Sequence, residues 1–195
     1  MEKRWIQAAT ILPPTVKVAG SRLLPFCLRH RVALEAINSP VLDHGKSFTA
    51  KDLIIAVRIL SSTDFVEMRR PVSLWESLKI GYYSKSPRAF IVECVKLVNY
   101  LEAQSLMPRF WAKSENSKDT GIPWQLAVIA CLTRNGCTLD EAWIMPEAEA
   151  VWLHIAHCRA SGAKVDIVSD VEWEAMENYR KEIEANKTPN AYNRN

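Results

Sequence analysis

Residues 123–158 contain a regular succession of helix start and stop signals, and no other stretch constrains the fold as strongly. Gly136 is typical of a helix C-cap, because glycine adopts the left-handed conformation without steric cost. Thr138 and Glu141 form a capping box at the start of the next helix. Pro146 ends that short helix and starts another, since proline suits the first turn of a helix but not its interior. The stretch therefore predicts three helices in succession.

The rest of the chain has the same helical period and no convincing pair of strands. Apolar residues cover nearly all sides of the segment around Leu53 to Val57, which indicates a central helix. Further capping boxes are expected at Ser73 with Glu76 and at Ser169 with Glu172. We therefore predict an all-α protein of about eight helices. Their approximate ranges are 21–38, 50–61, 73–81, 86–106, 122–135, 138–145, 146–162 and 169–185.

The division of the chain follows from its polar and proline-rich segments. Adjacent prolines at 13 and 14 argue against a helix near the N-terminus. Residues 113–121 include no apolar side chain, which predicts a flexible polar loop. The predicted order is an irregular arm at 1–20, a helical part at 21–112, a second helical part at 122–186 and a disordered tail at 187–195. The two helical parts are possible subdomains.

Composition indicates a folded cytoplasmic protein. The chain has 195 residues, 48% of them hydrophobic, which is enough to build a sizeable core. Its five cysteines are an odd number and three occupy apolar helical positions, so we expect free thiols in a reducing compartment. No apolar run approaches the roughly 20 residues of a membrane span. Membrane partners are therefore not expected.

The charge is small overall but unevenly distributed. The formal net charge is +3, with basic residues prevailing in 1–31 and acidic residues in 166–184. Two solvated faces explain this asymmetry most simply. The same asymmetry also allows copies of the chain to stack head to tail, or a nucleic acid to approach one end. Specific DNA binding is a lesser alternative, because the helix after Gly136 is acidic, whereas base edges are read by Arg, Lys, Asn or Gln.

The residues that could form a metal or catalytic site also have structural explanations. His154, His157 and Cys158 share one flank of a helix, and zinc takes such ligands. The chain has no Cys-x-x-Cys pair, however, and these residues adjoin an apolar helix face. We therefore predict no metal, no cofactor and no catalytic residues. A Cys/His nucleophile pair lacks a surrounding motif, and the paired carboxylates are explained by helix caps.

Tryptophan is the residue type that points to a partner. The chain has seven tryptophans, most of which we expect in the core. Tryptophan is also enriched at interface hot spots. The candidate partner-binding residues are Trp5, Trp111, Trp143 and Trp152, with Trp5 and Trp111 lying outside the strong helical patterns.

The segment 123–158 resembles tail assembly chaperones and related small tail-region proteins of tailed bacteriophages. The residues that carry the likeness are Thr138, Glu141, Ala142, Trp143, Met145, Pro146, Ala150 and Trp152. A second stretch, residues 23–30 followed by 37–40, is similar to the opening of proteins encoded among phage tail genes. The resemblance covers about half the chain, and residues 60–112 have no counterpart in it.

The resemblance implies a non-enzymatic role in the host cytoplasm during phage assembly. The implied partner is another tail protein, either the tape measure protein or a tube component, which would dock in an apolar groove between helices. The first alternative is a structural subunit of the phage particle, located in the virion. DNA binding is the second alternative. Self-association is compatible with each of these roles.

Overall fold

The fold, in a computed structural model that describes residues 3–10, 16–43, 46–109 and 121–187, consists of α-helices and one short hairpin. Its described elements, in chain order, are α1 (Lys3–Ala9), β1 (Lys17–Val18), β2 (Ser21–Arg22), α2 (Leu28–Ala36), a 3-10 turn (Pro40–Leu42), α3 (Ala50–Leu60), α4 (Phe65–Arg69), α5 (Leu74–Lys85), α6 (Pro87–Gln104), α7 (Trp124–Arg134), α8 (Leu139–Ile144), α9 (Glu147–Ala160) and α10 (Asp170–Lys187). The all-α prediction is confirmed. The described residues hold ten helices rather than about eight, because α1 and α4 were not predicted.

Helix α3 lies at the centre of the larger hydrophobic core. Seven of its eleven residues are buried, which confirms the central helix expected from its sequence. Around α3 pack the hairpin, α2, α4, α5 and α6. The core side chains that these elements contribute include Val18, Leu34, Met68, Leu97 and Tyr100.

A second core is formed by α7, α8 and α9. Its buried members are Leu28, Val128, Ile129, Leu132, Ala142, Ala150, Val151 and Ile155. Leu28 belongs to α2, the helix that also sends Leu34 into the larger core. Helix α2 therefore contacts both cores, and it connects them through packing rather than through a loop.

Polar contacts fix α9 against the start of α2. Both oxygens of the Glu147 carboxylate accept hydrogen bonds from the Arg31 guanidinium, and Glu147 is buried. The Glu147 backbone N–H donates to the carbonyl of Phe26 at 2.8 Å, and Cys27 forms an isolated bridge with Pro146. We call this set of contacts the junction. It gives the two cores one defined relative position.

The hairpin corrects the prediction of a helix that begins at Ser21. Lys17 pairs with Arg22 and Val18 with Ser21, around a turn in which both Ala19 and Gly20 have positive φ. Two successive positive φ angles are typical of tight hairpin turns. Helix α2 begins only after Cys27.

The reason for this correction is tertiary. Alanine rarely adopts a positive φ, so the sequence gives little sign of the turn. The backbone N–H of Ala19 donates to Glu93 at 2.6 Å, and its carbonyl accepts from Lys79 at 2.8 Å. These contacts from α6 and α5 hold the turn in place.

The prediction of an irregular arm at 1–20 is wrong for its first part. Lys3–Ala9 forms α1, and its Ala8 is buried against Ala148 and Trp152 of α9. Arg4 donates to the carbonyl of Ser105 at 2.7 Å. A short helix is marginal in isolation, so packing on α9 explains why the sequence pattern alone did not reveal it.

Apart from the start at Ser21, most predicted helix signals are confirmed, and Gly81 is a further exception. The capping boxes at Thr138, Ser73 and Ser169 form as expected. Gly81 was expected to end a helix, but α5 continues to Lys85. The side chains of Ile80 and Tyr83 pack on the larger core, and this burial outweighs the roughly 1 kcal/mol cost of a glycine within a helix.

Three predictions concern residues outside the described ranges. The flexible polar loop at 113–121 falls there except for Gly121, and so does the disordered tail at 187–195 except for Lys187. Trp111 also lies outside the described residues. The division into two helical parts stays a prediction.

Candidate protein-binding surface

Helix α6 has more apolar residues than its buried side can accommodate. Ser86 precedes it and Pro87 occupies its first position, as predicted. Its inner side buries Leu97 and Tyr100, and the Tyr100 hydroxyl donates to the carbonyl of Leu24. These contacts fix the rotation of the helix, and four further apolar residues, Ile91, Val92, Val95 and Val98, are left exposed.

The outward apolar residues of α6 form a row along the helix. Ile91, Val95 and Val98 follow the i, i+4, i+7 spacing of one helical face, and Val92 lies beside them. These four side chains are between 40% and 58% exposed. Large side chains that remain exposed singly need no explanation, but a row of them indicates a contact surface.

A groove runs between this row and the segment before α3. Its volume is about 360 Å³, and we call it the α6 groove. Phe48 packs edge-on against Phe90 at a centroid distance of 6.2 Å and forms part of its floor. The complete lining is Lys46, Ser47, Phe48, Phe90, Ile91, Cys94, Val95, Val98 and Asn99.

The α6 groove is nearly free of charge. Lys46 is the only lining residue, among those the structure describes, that is charged, and it pairs with Asp43. Burial, reinforced by nearby Glu93, raises the pKa of the Cys94 thiol to about 11, so this lining group is neutral at physiological pH. An apolar groove of this kind suits the apolar face of another protein's helix.

Helix α5 exposes a second apolar row, which we call the α5 stripe. It consists of Leu74, Trp75, Leu78 and Tyr82, which are between 56% and 76% exposed. The sole acidic residue of α5, Glu76, accepts hydrogen bonds from Arg70 and lies within ion-pair distance of Arg58. The outer side of α5 therefore carries apolar and cationic side chains, and the only carboxylate of this helix is already paired.

Two of the predicted partner-binding tryptophans meet in the protein. Trp152 is only 9% exposed, and its indole N–H donates to the carbonyl of Leu106 at 3.0 Å. Trp5 lies against it with a centroid distance of 6.2 Å and an interplanar angle of 59°. Trp152 is therefore a core residue here, as the sequence analysis expected of most tryptophans, and Trp5 is half-buried on it.

The other predicted tryptophans have different surroundings. Trp143 is half-buried and packs edge-on against Phe65 of α4 at 6.2 Å. Trp111 is not described. The tryptophans that the structure leaves most exposed are Trp75 and Trp124, neither of which was a predicted partner contact.

The three potential metal ligands of the sequence analysis, His154, His157 and Cys158, line a surface cavity between α7 and α9. The cavity measures about 480 Å³ and is lined by His154, His157, Cys158 and Cys131. The Cys158 sulfur is 3.7 Å from His154 Nε2. Burial raises the pKa of the Cys131 thiol and lowers that of His154, so both groups are neutral at pH 7. Within the described part of the chain, no three His, Cys, Asp or Glu residues are placed to hold a metal ion.

The α5 stripe and α6 groove were missed by the sequence analysis. A signal was present, because α6 has apolar residues at Ile91, Val92 and Val95 in addition to the helically spaced set of Phe90, Cys94, Leu97, Val98 and Leu101. A helix that is apolar on more than one side is either central or in contact with a partner. Choosing between these explanations required the position of α6, which lies at the surface.

Over the residues described, none of the helices is both long and apolar enough to cross a membrane.

Comparisons with known proteins add no further assignment to this surface. No protein family model, no curated protein and no solved structure matches the chain.

Proposed function

We propose that this protein is a non-enzymatic assembly factor of a tailed bacteriophage, which binds another tail protein through the α6 groove. The observation that carries the proposal is the row formed by Ile91, Val95 and Val98, which lies exposed beside Phe48. The identity of the partner as a tail protein rests on the sequence resemblance of residues 123–158. The proposed location is the host cytoplasm during assembly.

The groove favours an amphipathic helix as the bound element. A partner helix that places apolar residues at i, i+3, i+4 and i+7 matches a row with the same spacing. Full burial of a Val or Ile side chain stabilises by about 1.5–3 kcal/mol, and the three residues of the row are about half exposed. Covering them therefore contributes about 2–4 kcal/mol, before the entropy cost of association is subtracted.

This magnitude has a consequence for the partner. A few kcal/mol corresponds to millimolar affinity at best, so the partner must also contact residues beyond the row. A transient and weak complex fits an assembly factor that releases its partner when the tail is complete. Stable incorporation would require a larger contact area.

A structural subunit of the phage particle is the second candidate. It is favoured by the number of exposed apolar surfaces, because the α5 stripe and the α6 groove are two such surfaces on two different helices. Permanent neighbours in a particle would cover both surfaces. The two candidates differ in whether the protein remains in the mature particle.

The test is co-expression of the tagged protein with the tape measure protein and, separately, with the tube protein of the same phage. The substitution Val95→Glu places a charge in the groove, and we expect it to reduce recovery of the partner at least tenfold. The matched control is Ala103→Glu, which adds the same charge to an exposed position on the same helix. Equal recovery with both variants would exclude the groove.

Quantitative mass spectrometry of purified particles separates the two candidates. Absence of the protein from particles, together with groove-dependent recovery of a tail protein from cells, supports the assembly factor. A fixed copy number in particles identifies a structural subunit and contradicts the assembly factor. Failure to recover either tail protein contradicts the proposed partner.

A further inference from the structure

Helix α10 is an acidic amphipathic helix whose apolar side is uncovered. It contains six acidic and three basic residues. Met176, Tyr179 and Ile183 follow the i, i+3, i+7 spacing of one face, and Val171 lies near its start. These four side chains are between 37% and 77% exposed. A row of exposed apolar side chains of this kind indicates a contact surface.

The contacts that hold α10 in place lie at its beginning. The Val168 N–H donates to the carbonyl of Arg109 at 2.9 Å, and the Arg109 guanidinium lies 4.1 Å from the centre of the Trp173 ring. Ser169 and Glu172 form the capping box of the helix. The start of α10 is therefore anchored, and the row formed by Met176, Tyr179 and Ile183 lies beyond the anchored turn.

The α5 stripe is the surface of this protein that complements α10. From Leu74 to Tyr82 the stripe is about 12 Å long, and the row from Met176 to Ile183 is about 10 Å long. Lys85 is the last residue of α5 and Arg88 the second residue of α6, and both are exposed. Neither has an ion-pair partner among the residues described. The cations near the stripe are thus opposite in sign to the net charge of α10, in which acidic residues outnumber basic ones by six to three.

We propose that α10 of one copy of this chain packs on the α5 stripe of a second copy. The two surfaces do not cover each other within one copy, since Trp75 and Tyr179 are 76% and 66% exposed. The contact is heterologous, because it joins two different surfaces, and a pair of copies retains one free α5 stripe on one copy and one free α10 on the other.

A heterologous contact propagates or closes into a ring. Ion pairs at its edge are exposed, so salt screens them, and the association weakens as ionic strength rises. This inference does not depend on the tail-assembly proposal, which concerns the α6 groove.

The experiment uses two variants of the full chain, Leu78→Glu in the α5 stripe and Tyr179→Glu in α10. Sedimentation velocity is measured for the wild type, for each variant alone and for their mixture, from about 1 µM to about 500 µM. We expect the wild type to form species larger than a dimer and each variant alone to associate at least tenfold more weakly. The mixture should form a dimer that does not grow, because it contains only one intact pair of surfaces.

Matched controls and alternative outcomes keep the test decisive. Ser84→Glu and Asn178→Glu add the same charge to exposed positions on the other sides of the two helices, and both should associate like the wild type. Circular dichroism confirms that the variants fold. A wild type that stays monomeric overturns the proposal. Loss of association with only one variant indicates a symmetric contact and overturns it too, as does a mixture that remains monomeric.

Discussion

The junction and the exposed rows of α5 and α6 both depart from the usual distribution of side chains, in which charged groups are exposed and apolar groups are buried. At the junction, the carboxylate of Glu147 is buried beside Arg31. On α5 and α6, Trp75 and Ile91 remain exposed. A buried ion pair contributes little net stability but strongly disfavours any arrangement that separates its members. Exposed apolar rows stabilise nothing until they are covered. The first region defines the internal arrangement of the protein, and the second is available for external contacts.

The largest expected effect on stability comes from replacing a buried tryptophan, and replacing an exposed tryptophan provides the comparison. Trp152→Ala should lower the free energy of unfolding by about 3–5 kcal/mol, because it removes a buried ring and leaves a cavity. It also removes the hydrogen bond to Leu106. Trp75→Ala is the matched control, and it should change stability by less than about 1 kcal/mol, since the side chain is exposed. Urea unfolding measures both. Equal losses of stability in the two variants would contradict the placement of Trp152 in the interior and Trp75 at the surface.

A similar loss is expected when the junction loses one charge. Glu147→Ala should destabilise by about 3–5 kcal/mol, because it leaves the Arg31 guanidinium partly buried without its partner. Asp140→Ala breaks the ion pair of Asp140 with Arg29 at 2.6 Å, and the Asp140 side chain is mostly exposed. That change should cost about 0–1 kcal/mol. Replacing Arg31 and Glu147 together with methionine should cost less than Glu147→Ala alone. A double variant that is less stable than the single one would contradict this account.

Acid should destabilise the protein through His30, which is completely buried near the junction. Its Nε2–H donates to the carbonyl of Ser62 at 2.8 Å, and its Nδ1 accepts from the Cys27 N–H. Burial lowers the pKa of His30 from 6.5 to about 4. The unfolded chain therefore binds a proton at a higher pH than the folded chain does.

The resulting pH dependence has a defined sign and window. The contribution of His30 to stability is complete above pH 6.5 and is lost as the pH falls towards about 4, by up to roughly 3 kcal/mol. Unfolding free energies at several pH values, for the wild type and for His30→Gln, measure this contribution. The variant should have a shallower decline with acid. An identical decline in both proteins would show that other groups are responsible.

The smallest expected effects are on the exposed rows. Leu78→Gln and Val95→Gln should each change the free energy of unfolding by no more than about 0.5–1 kcal/mol, because these side chains are at least half exposed. The same substitutions should reduce association, which sedimentation and partner recovery detect. A large loss of stability in the isolated protein would show that the rows are part of the fold rather than contact surfaces.

The sequence was informative wherever a local signal controls the structure. The capping boxes at Thr138, Ser73 and Ser169 formed as expected, because side-chain caps act over three residues and need no tertiary partner. The apolar character of α3 correctly indicated a central helix. Local signals misled where packing opposed them, as at Gly81, which lies within α5.

The candidate site was less accessible to sequence reasoning. Trp5 and Trp152 were selected for their residue type, yet they pack on each other. Residue type does not reveal whether a tryptophan lies inside or outside, because the answer depends on what packs against it. The apolar surplus of α6 was visible in the sequence, but only its position at the surface makes it a candidate for binding.

The sequence by itself determined the helical class, most helix starts and the amphipathic character of α6 and α10, since these depend on neighbours within a few residues. Only the tertiary structure decided that Glu147 is buried with Arg31, that Ala19 forms a hairpin turn, and that the α5 stripe remains exposed. Each of these depends on residues distant in sequence. The free energy of burial is set by the complete environment of a side chain, which no local pattern contains.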